Sequence, residues 1–567
     1  MIGDGRRIQD GQELQTDVCI IGGGAAGITV AQALADHALD IVLLESGGLE
    51  FDAATNDLNV GASTGLPYFP LEAARLRYFG GSTNHWGGYC RPLEPVDFAR
   101  RPWVAGSGWP IDRVDLDPYY GRARPIVGLA AEEGDPAALL ASDRSRPLFD
   151  STSRFLHVLA EIVPQTKRSF GDRFREMLEA ADDVDVLLHA NAVEIETDAG
   201  ARHVERVHVA TLAGNRFTVR ARAIVLATGG IENPRLLLAS DRVQPSGVGN
   251  DRDLVGRYFL EHPRFVAGTL IPSTGDLSAR FYEPHDVAGR ELIGYLSLDE
   301  DVLRDEEILE VQVRLRPTYS PAVEAALEGQ DVNALRDLVR RTPGVLDRFG
   351  EQVVRVVADL STWQDATIPG GPLAVPLPEV VAEIGRRAAD GELDRLIPLL
   401  LGDIATVGYR ELFGGLPIEA ADLATRIDPL PDRDSRVTLG TERDPIGMRR
   451  VELHWALSPL DKWSAIRTLE ILGMELGHAG VGRVRVLIDD GDAWPSDLAG
   501  GWHHMGTTRM SDDPAQGVVD RDGRVHGMDD LYIAGSSVFP TAGSGTPTIT
   551  IVALALRLAD HLRERLS

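Results

Sequence analysis

At 567 residues the chain is too long for one simple core and long enough for two interlocked domains. Hydrophobic content of 43% and charged content of 25% are ordinary for a soluble globular protein, and a net charge of −29 argues against nucleic acid or an anionic membrane surface as a partner. Two cysteines, Cys19 and Cys90, cannot build a disulfide framework, no run approaches the ~20 apolar residues of a spanning helix, and the first residues lack a signal-peptide core, so a cytoplasmic location is expected.

Residues 17–21 form a short apolar run, and Gly22-x-Gly24-x-x-Gly27 follows at once. A helix is predicted over 28–38 and a second strand over 41–44, which ends at Glu45. Strand, glycine turn, helix, strand and acid in this order form a dinucleotide-binding unit. Gly22 permits the tight turn, Gly24 lets backbone approach a pyrophosphate, and Gly27 lets the helix pack close to the strand. Glu45, 18 residues beyond Gly27, is placed to accept hydrogen bonds from a ribose. A glycine-dense, aromatic-flanked loop comes next, Arg77-Tyr78-Phe79-Gly80-Gly81-Ser82-Thr83-Asn84-His85-Trp86-Gly87-Gly88, suited to laying backbone against a flat ring.

The stretch 89–135 reads as an ordered, aromatic excursion and 150–180 as mainly helical. Residues 184–195 read as one strand, followed by a meander through 204–209 and 216–219. A buried strand over 223–227 ends at Gly229-Gly230 and opens a helix with Asn233-Pro234 in its first turn. The character changes near Leu254. Strands over 265–270, 292–298 and 308–315 suggest an antiparallel sheet, and 320–415 reads as an insertion of amphipathic helices: helices packed on their own domain, a lid, a subunit contact or, least compatible with the charge, a membrane-docking patch. Strands over 434–439 and 451–455 resume that sheet, a helix spans 458–476, and a strand near 531–535 returns to the first domain.

Two features near the C-terminus carry the chemistry. His503 and His504 stand beside Gly506-Thr507, and a neutral imidazole is the side chain best suited to taking a proton near neutral pH. In an extended segment these neighbours face opposite ways, so only one of them can face the reacting group. Further on, Gly543-Ser544-Gly545-Thr546-Pro547-Thr548 precedes an apolar helix over 549–562 and aims a helix N-terminus at something anionic.

Taken in order, these motifs resemble the glucose–methanol–choline (GMC) oxidoreductases, on the pyranose-oxidase and bacterial sugar-dehydrogenase side. The resemblance implies an α/β (α+β) fold. A Rossmann-type FAD domain over 1–253 and 501–567 would enclose an antiparallel substrate-binding domain over 254–500. It places Gly81, Ser82, Asn84 and His85 at the flavin and Val193 against the adenine. Ala227, Gly229 and Gly535 return to the FAD sheet, and the Thr546–Thr548 helix start, with Pro547, faces the flavin edge. His85 falls where pyranose oxidases bond the flavin covalently; relatives with a similar loop hold FAD without a bond, and both readings stand. His503, three residues before the Gly-Thr pair, takes the place of the family's base. Thr546 stands where the family has a second His or Asn, and its hydroxyl is expected to orient the substrate. His262 and Arg509 are read as structural. No metal site is expected. The expected reaction is oxidation of a hydroxyl on a sugar, glycoside or polyol, with oxygen, a quinone or a protein taking the electrons. A lyase-like flavoprotein and a catalytically silent FAD-binding protein are the alternatives.

Overall fold

The structure, a computed structural model, describes residues 1–131, 139, 147–150, 154–274, 277, 279–318 and 418–567. The predicted helices of 320–415, with the roles suggested for them, lie outside the described residues.

One eight-stranded sheet organises the first half. Ile2–Asp4, Val184–Leu188, Ile41–Leu44, Glu13–Ile21 and Arg216–Leu226 lie side by side and parallel. Leu531–Ile533 extends the parallel set on the far side of Arg216–Leu226, after about 300 intervening residues of chain. The central stretches 18–21, 41–44 and 223–226 are wholly apolar and buried, as expected where a parallel sheet is covered on both faces. The Ala25–Leu34 helix packs against the closing helix Pro547–Leu566, and both bury most of their residues. The meander strands Val204–Ala210 and Asn191–Thr197 are antiparallel to the start of Arg216–Leu226.

Three local expectations change here. The stretch 184–195 is two strands, broken at His189, which adopts φ 56°; the break releases Ala190 and His189 to donate backbone N–H groups to Glu45 and Gly47. The segments 216–219 and 223–227 are one continuous strand. The next helix starts at Gly229, so Asn233 and Pro234 lie inside it rather than in its first turn; the Asn233 carboxamide accepts from Thr228 and donates to Ser537, which ties this helix to the returning chain.

A second eight-stranded sheet is entirely antiparallel. Its order is Gly482–Val486, Arg264–Pro272, Ala420–Ile427, Val311–Thr318, Arg290–Leu298, Phe155–Ile162 and Tyr89–Cys90, with His285–Val287 beside Arg290–Leu298. Phe155–Ile162 corrects the helical reading of 150–180, of which only Phe170–Ala180 is a long helix. A short apolar run cannot be assigned by periodicity alone, and here pairing with Arg290–Leu298 decides it. Segments 89–90 and 155–162 therefore belong to this antiparallel sheet although they precede residue 254. The Pro459–His478 helix packs on this sheet, started by a capping box between Ser458 and Asp461. Arg436–Arg443 and Arg449–Trp455 do not rejoin it. They pair with Ala62–Gly65 as a separate three-stranded sheet around Val437, Leu453 and Trp455. No described helix is long and apolar enough to cross a membrane.

Candidate active site

The parallel strands end together. Ile21, Leu44, Leu226 and Ile533 lead into Gly22, Glu45, Ala227 and Gly535, and a cavity opens where they stop. Ligands of open α/β sheets bind outside these carboxyl ends. A Cβ at Gly27 would lie 1.9 Å from the Gly22 carbonyl oxygen, and one at Gly22 2.6 Å from the Ala227 oxygen, so both positions exclude a side chain by backbone packing. At Gly24 and Gly229 a Cβ would meet nothing within 4 Å. Bare backbone there faces open space, as the approach of a pyrophosphate requires. Glu45 accepts the N–H of Gly23 and of Gly47, both at 2.8 Å, and lines the cavity with acceptor capacity to spare for a ribose. Arg75 and Arg77 form another wall. Both pair with Glu232, which also meets Arg235, and Arg235 meets Asp444. Three guanidiniums against two carboxylates leave positive charge beside the glycine turn. The arginines hold the Glu232 carboxyl ionised against its burial. Shape, exposed N–H groups and residual charge all fit a dinucleotide.

The second component is a pair of extended segments. Leu260 and Met505 exchange backbone hydrogen bonds, which sets His262 opposite His503 in the same antiparallel register. The two Nδ1 atoms are 2.7 Å apart, and His262 Nε2 lies 2.8 Å from the Gly543 carbonyl oxygen. Glu261, fully buried, accepts the backbone N–H of Gly501, His262 and His503 and the hydroxyl of Tyr68. Converging the N–H groups of residues 501 and 503 on one carboxylate puts Trp502 between them in the left-handed region, at φ 61°. Trp502 is 56% exposed and lies against Phe69 at the cavity's edge. Gly506 is required because a Cβ would come within 2.2 Å of the Tyr258 oxygen, and the Thr507 hydroxyl donates to the Gly230 carbonyl oxygen. The Gly-Thr pair thus pins the histidine segment to the cofactor cavity.

His503 and His504 differ in what they can do. The Tyr68 hydroxyl gives its one proton to Glu261 at 2.5 Å, so the contact to His504 Nε2 at 2.9 Å requires that His504 donate. His504 lines the cavity, but its ring is turned against Tyr68 and Phe259. Burial lowers His504 and His262 to about 3. Burial, with the neighbouring His262 ring and the Arg426 and Arg264 charges, takes His503 well below the ordinary imidazole value. All three are neutral at pH 7.

The turn before the last helix is held from below. Gly543 and Ser544 donate their N–H groups to Asp428 and Asp97, and Asp428 pairs with Arg101 at 2.8 Å, both buried. Burial, with Glu310 and Asp428 close by, lifts the Asp97 carboxyl to about 8. Arg426 donates to the Ser544 carbonyl oxygen and to Gln312. Thr546 caps the Pro547–Leu566 helix, but its hydroxyl donates to the Tyr89 carbonyl oxygen at 2.6 Å.

Residues 17–246 match the FAD dependent oxidoreductase family, and residues 431–555 match the GMC oxidoreductase family. The chain thus carries an FAD dependent oxidoreductase domain near its start and a GMC oxidoreductase domain near its end. It is 23% identical to 2-methyl-1,2-propanediol dehydrogenase of Mycolicibacterium austroafricanum over 98% of this chain and 96% of the relative. It is 25% identical to 6'''-hydroxyparomomycin C oxidase of Streptomyces lividus over 96% of this chain and 92% of the relative. Formate oxidase shares the fold at a TM-score of 0.52 and 17% identity, covering 98% of this chain and 99% of that one. The protein is an FAD-dependent oxidoreductase acting on CH–OH groups. Neither relative supports the lyase-like or silent alternatives.

Of the residues expected at the cofactor, Gly22, Gly24, Glu45, Gly81, Ser82, Ala227, Gly229 and Gly535 line the cavity at the strand ends. Gly27 stands behind it as a packing position. Asn84, His85 and Val193 are not on its wall. The Asn84 carboxamide is engaged with Phe79, Ser169 and Gly171, which tie the loop to the Phe170–Ala180 helix. His85 is exposed, with Nε2 2.5 Å from the Tyr78 hydroxyl. Val193 lines an adjoining cavity with Ile446 and Met448, while Ala192 lines the cavity at the strand ends. Ile551, rather than Pro547 or Thr548, represents the last helix on the wall. Sequence reasoning missed Arg75, Arg77, Tyr68 and Glu261. Arg75 and Arg77 adjoin the glycine loop and were within reach of a charge argument. Tyr68 and Glu261 carry no local signal.

Proposed function

We propose that the enzyme oxidises a secondary or primary hydroxyl of a polyol, sugar or glycoside, with His503 as the base. The observation that supports the assignment of the base is the contact of His503 Nδ1 with His262, which leaves the other ring nitrogen of His503 for a substrate proton, while the His504 ring is turned against Tyr68 and Phe259. Bound in the cavity, FAD supplies the hydride acceptor. The substrate hydroxyl must lie within ~2.6–3.2 Å of the imidazole nitrogen that takes its proton. The guanidiniums of Arg264 and Arg426, close enough to disfavour an imidazolium at His503, favour the negative charge that grows on the alcohol oxygen.

The polyhydroxy substrate class is supported by the diol and aminoglycoside names of the relatives and by the chemistry of the substrate sheet. Gln312 and Arg314 lie on one face of their strand, and Arg426 is the register partner of Gln312. Among the described residues Gln312 Nε2, Arg314 Nε and Arg426 Nε are buried without a hydrogen-bond partner. Buried donors left unmade cost ~1–3 kcal/mol each, and a ligand rich in hydroxyl oxygens satisfies them. Two buried free thiols, Cys19 and Cys90, support a reducing compartment. The test is an anaerobic panel of vicinal diols, hexoses, aminoglycosides and simple alkanols, scored by bleaching of the bound flavin. Polyhydroxy compounds should bleach it faster than alkanols of equal length; the reverse order would overturn the substrate class. Air or a quinone added afterwards separates oxidase from dehydrogenase.

A further inference from the structure

The segment around His262 was read from sequence as structural, and the reaction above does not use it. Its ring is nevertheless fully buried, perpendicular to that of His503, with ring centroids 5.0 Å apart. Each of its two nitrogens has one partner. A carbonyl oxygen can only accept, so the 2.8 Å contact to Gly543 puts the His262 proton on Nε2. A neutral imidazole then presents a lone pair at Nδ1. The 2.7 Å contact between the two Nδ1 atoms is a hydrogen bond only if His503 donates. Neutral His503 with its proton on Nδ1 has its lone pair on Nε2.

We propose that His262 is a positioning residue that, through the Gly543 carbonyl, locks His503 in the Nδ1–H tautomer and so reserves Nε2 for the substrate hydroxyl proton. The proposal rests on His503 being the base. In the step it serves, the substrate O–H bond breaks and its proton bonds to His503 Nε2, while the C–H electron pair leaves as hydride to the bound flavin. The chain of contacts then ends. His262 already holds its proton towards a carbonyl that cannot take one, so the new proton stays on His503 Nε2 and leaves by the side it entered.

The support behind the lock is rigid. The Gly543 N–H is held by Asp428, itself in the buried pair with Arg101. Gly543 has φ 68°, and a Cβ there would come within 2.4 Å of Leu93, so only glycine presents the carbonyl at this angle. The other polar groups near His503 are accounted for: Glu261 takes its backbone N–H, Tyr68 and His504 bond each other and Glu261, and Arg264 and Arg426 bring charge without a bond to the ring.

The tautomer can be read without turnover. In holoenzyme labelled with nitrogen-15 histidine, the His503 signals are assigned by their loss in His503→Gln. Wild-type His503 should show a protonated Nδ1 and an unprotonated Nε2 at neutral pH. In His262→Leu, Nδ1–H loses its acceptor, and the Nε2–H form should appear. His262→Asn carries an oxygen near the former Nδ1 and should restore the Nδ1–H form, whereas His262→Gln places its carboxamide at the former Nε2 and should not. Flavin reduction by the best substrate of the panel should fall roughly tenfold in His262→Leu and recover in His262→Asn, the size expected for one hydrogen bond. Wild-type His503 protonated on Nε2, or a His503 tautomer unmoved in His262→Leu, overturns the lock. If the tautomers behave as stated but His503→Gln still reduces flavin at the wild-type rate, the assignment of the base fails and the lock stands.

Discussion

The cavity at the strand ends is built from backbone, the proposed reaction centre from side chains. Around the cavity Gly22, Gly24, Gly27 and Gly229 act through what they lack, and every one of them follows a strand or opens a helix within a few residues. Around His503 the surrounding groups come from residues 68, 261, 262, 426 and 543, one from the antiparallel sheet and the rest from connecting segments far apart in the chain. The first kind of site is a property of local chain geometry. The second exists only once the whole fold has closed.

That difference predicts how each site breaks, and the largest effect belongs to the backbone site. Gly27→Ala forces a Cβ against the Gly22 oxygen at 1.9 Å, a clash between two backbone segments that no side-chain rotation relieves. Purified variant should be colourless and melt several degrees below wild type. Gly24→Ala meets open space in the protein, so it should fold normally and lose affinity for FAD only. Absorbance at the flavin band and a thermal melt in the same samples test the contrast. If Gly27→Ala binds FAD with unchanged melting, the cavity is not held by the packing described here.

The next effect falls on the side-chain site and spares the backbone one. His503→Gln should keep one FAD per chain and slow substrate-driven flavin reduction by ~10²–10⁴, the usual contribution of a positioned base. His504→Gln, which can still donate to Tyr68, should cost far less. The pH dependence has a fixed sign. A base works deprotonated, and burial puts His503 below the ordinary imidazole value. The wild-type reduction rate should therefore stay flat as pH falls through about 6.5 and decline only in more acidic solution. An acid limb centred at or above about 6.5 would mean that His503 is not buried as described, or that another group is the base.

The same contrast governs what was legible in the sequence. The glycine turn, Glu45 and the strand ending at Gly229 could be assigned because the motif and its structure lie within one short stretch of chain. His503 is singled out by its spacing to Gly506-Thr507, and its role as base is the proposal made above. Glu261 could not be assigned in this way. Its role comes from an antiparallel pairing between residues 260 and 505, and neither segment alone announces the other. Phe155–Ile162 was misread for the same reason: an apolar run becomes a strand when Arg290–Leu298 is beside it. Asn84 and Thr546 show the remaining kind of error. Both occupy the expected place in the chain, yet each side chain is engaged with nearby protein rather than with the site.

Thr546 gives the smallest expected effect and the sharpest test of that last point. Its hydroxyl carries one proton and donates it to the Tyr89 carbonyl oxygen at 2.6 Å. It cannot donate the same proton to a substrate oxygen, and a substrate hydroxyl that gives its proton to His503 has none to offer Thr546. The residue is 7% exposed, so the contact to Tyr89 joins the helix start to the Tyr89–Cys90 strand at the edge of the eight-stranded antiparallel sheet. Thr546→Val keeps the shape and removes that bond. It also leaves a carbonyl oxygen short of a partner, so stability should drop by ~1 kcal/mol. Flavin reduction should change less than threefold, and its pH profile should stay that of wild type. Stopped-flow reduction and a denaturant melt of the same variant separate the two outcomes. A rate loss approaching that of His503→Gln, with stability unchanged, would return Thr546 to the reaction and show that its hydroxyl turns from Tyr89 to the substrate when one is bound.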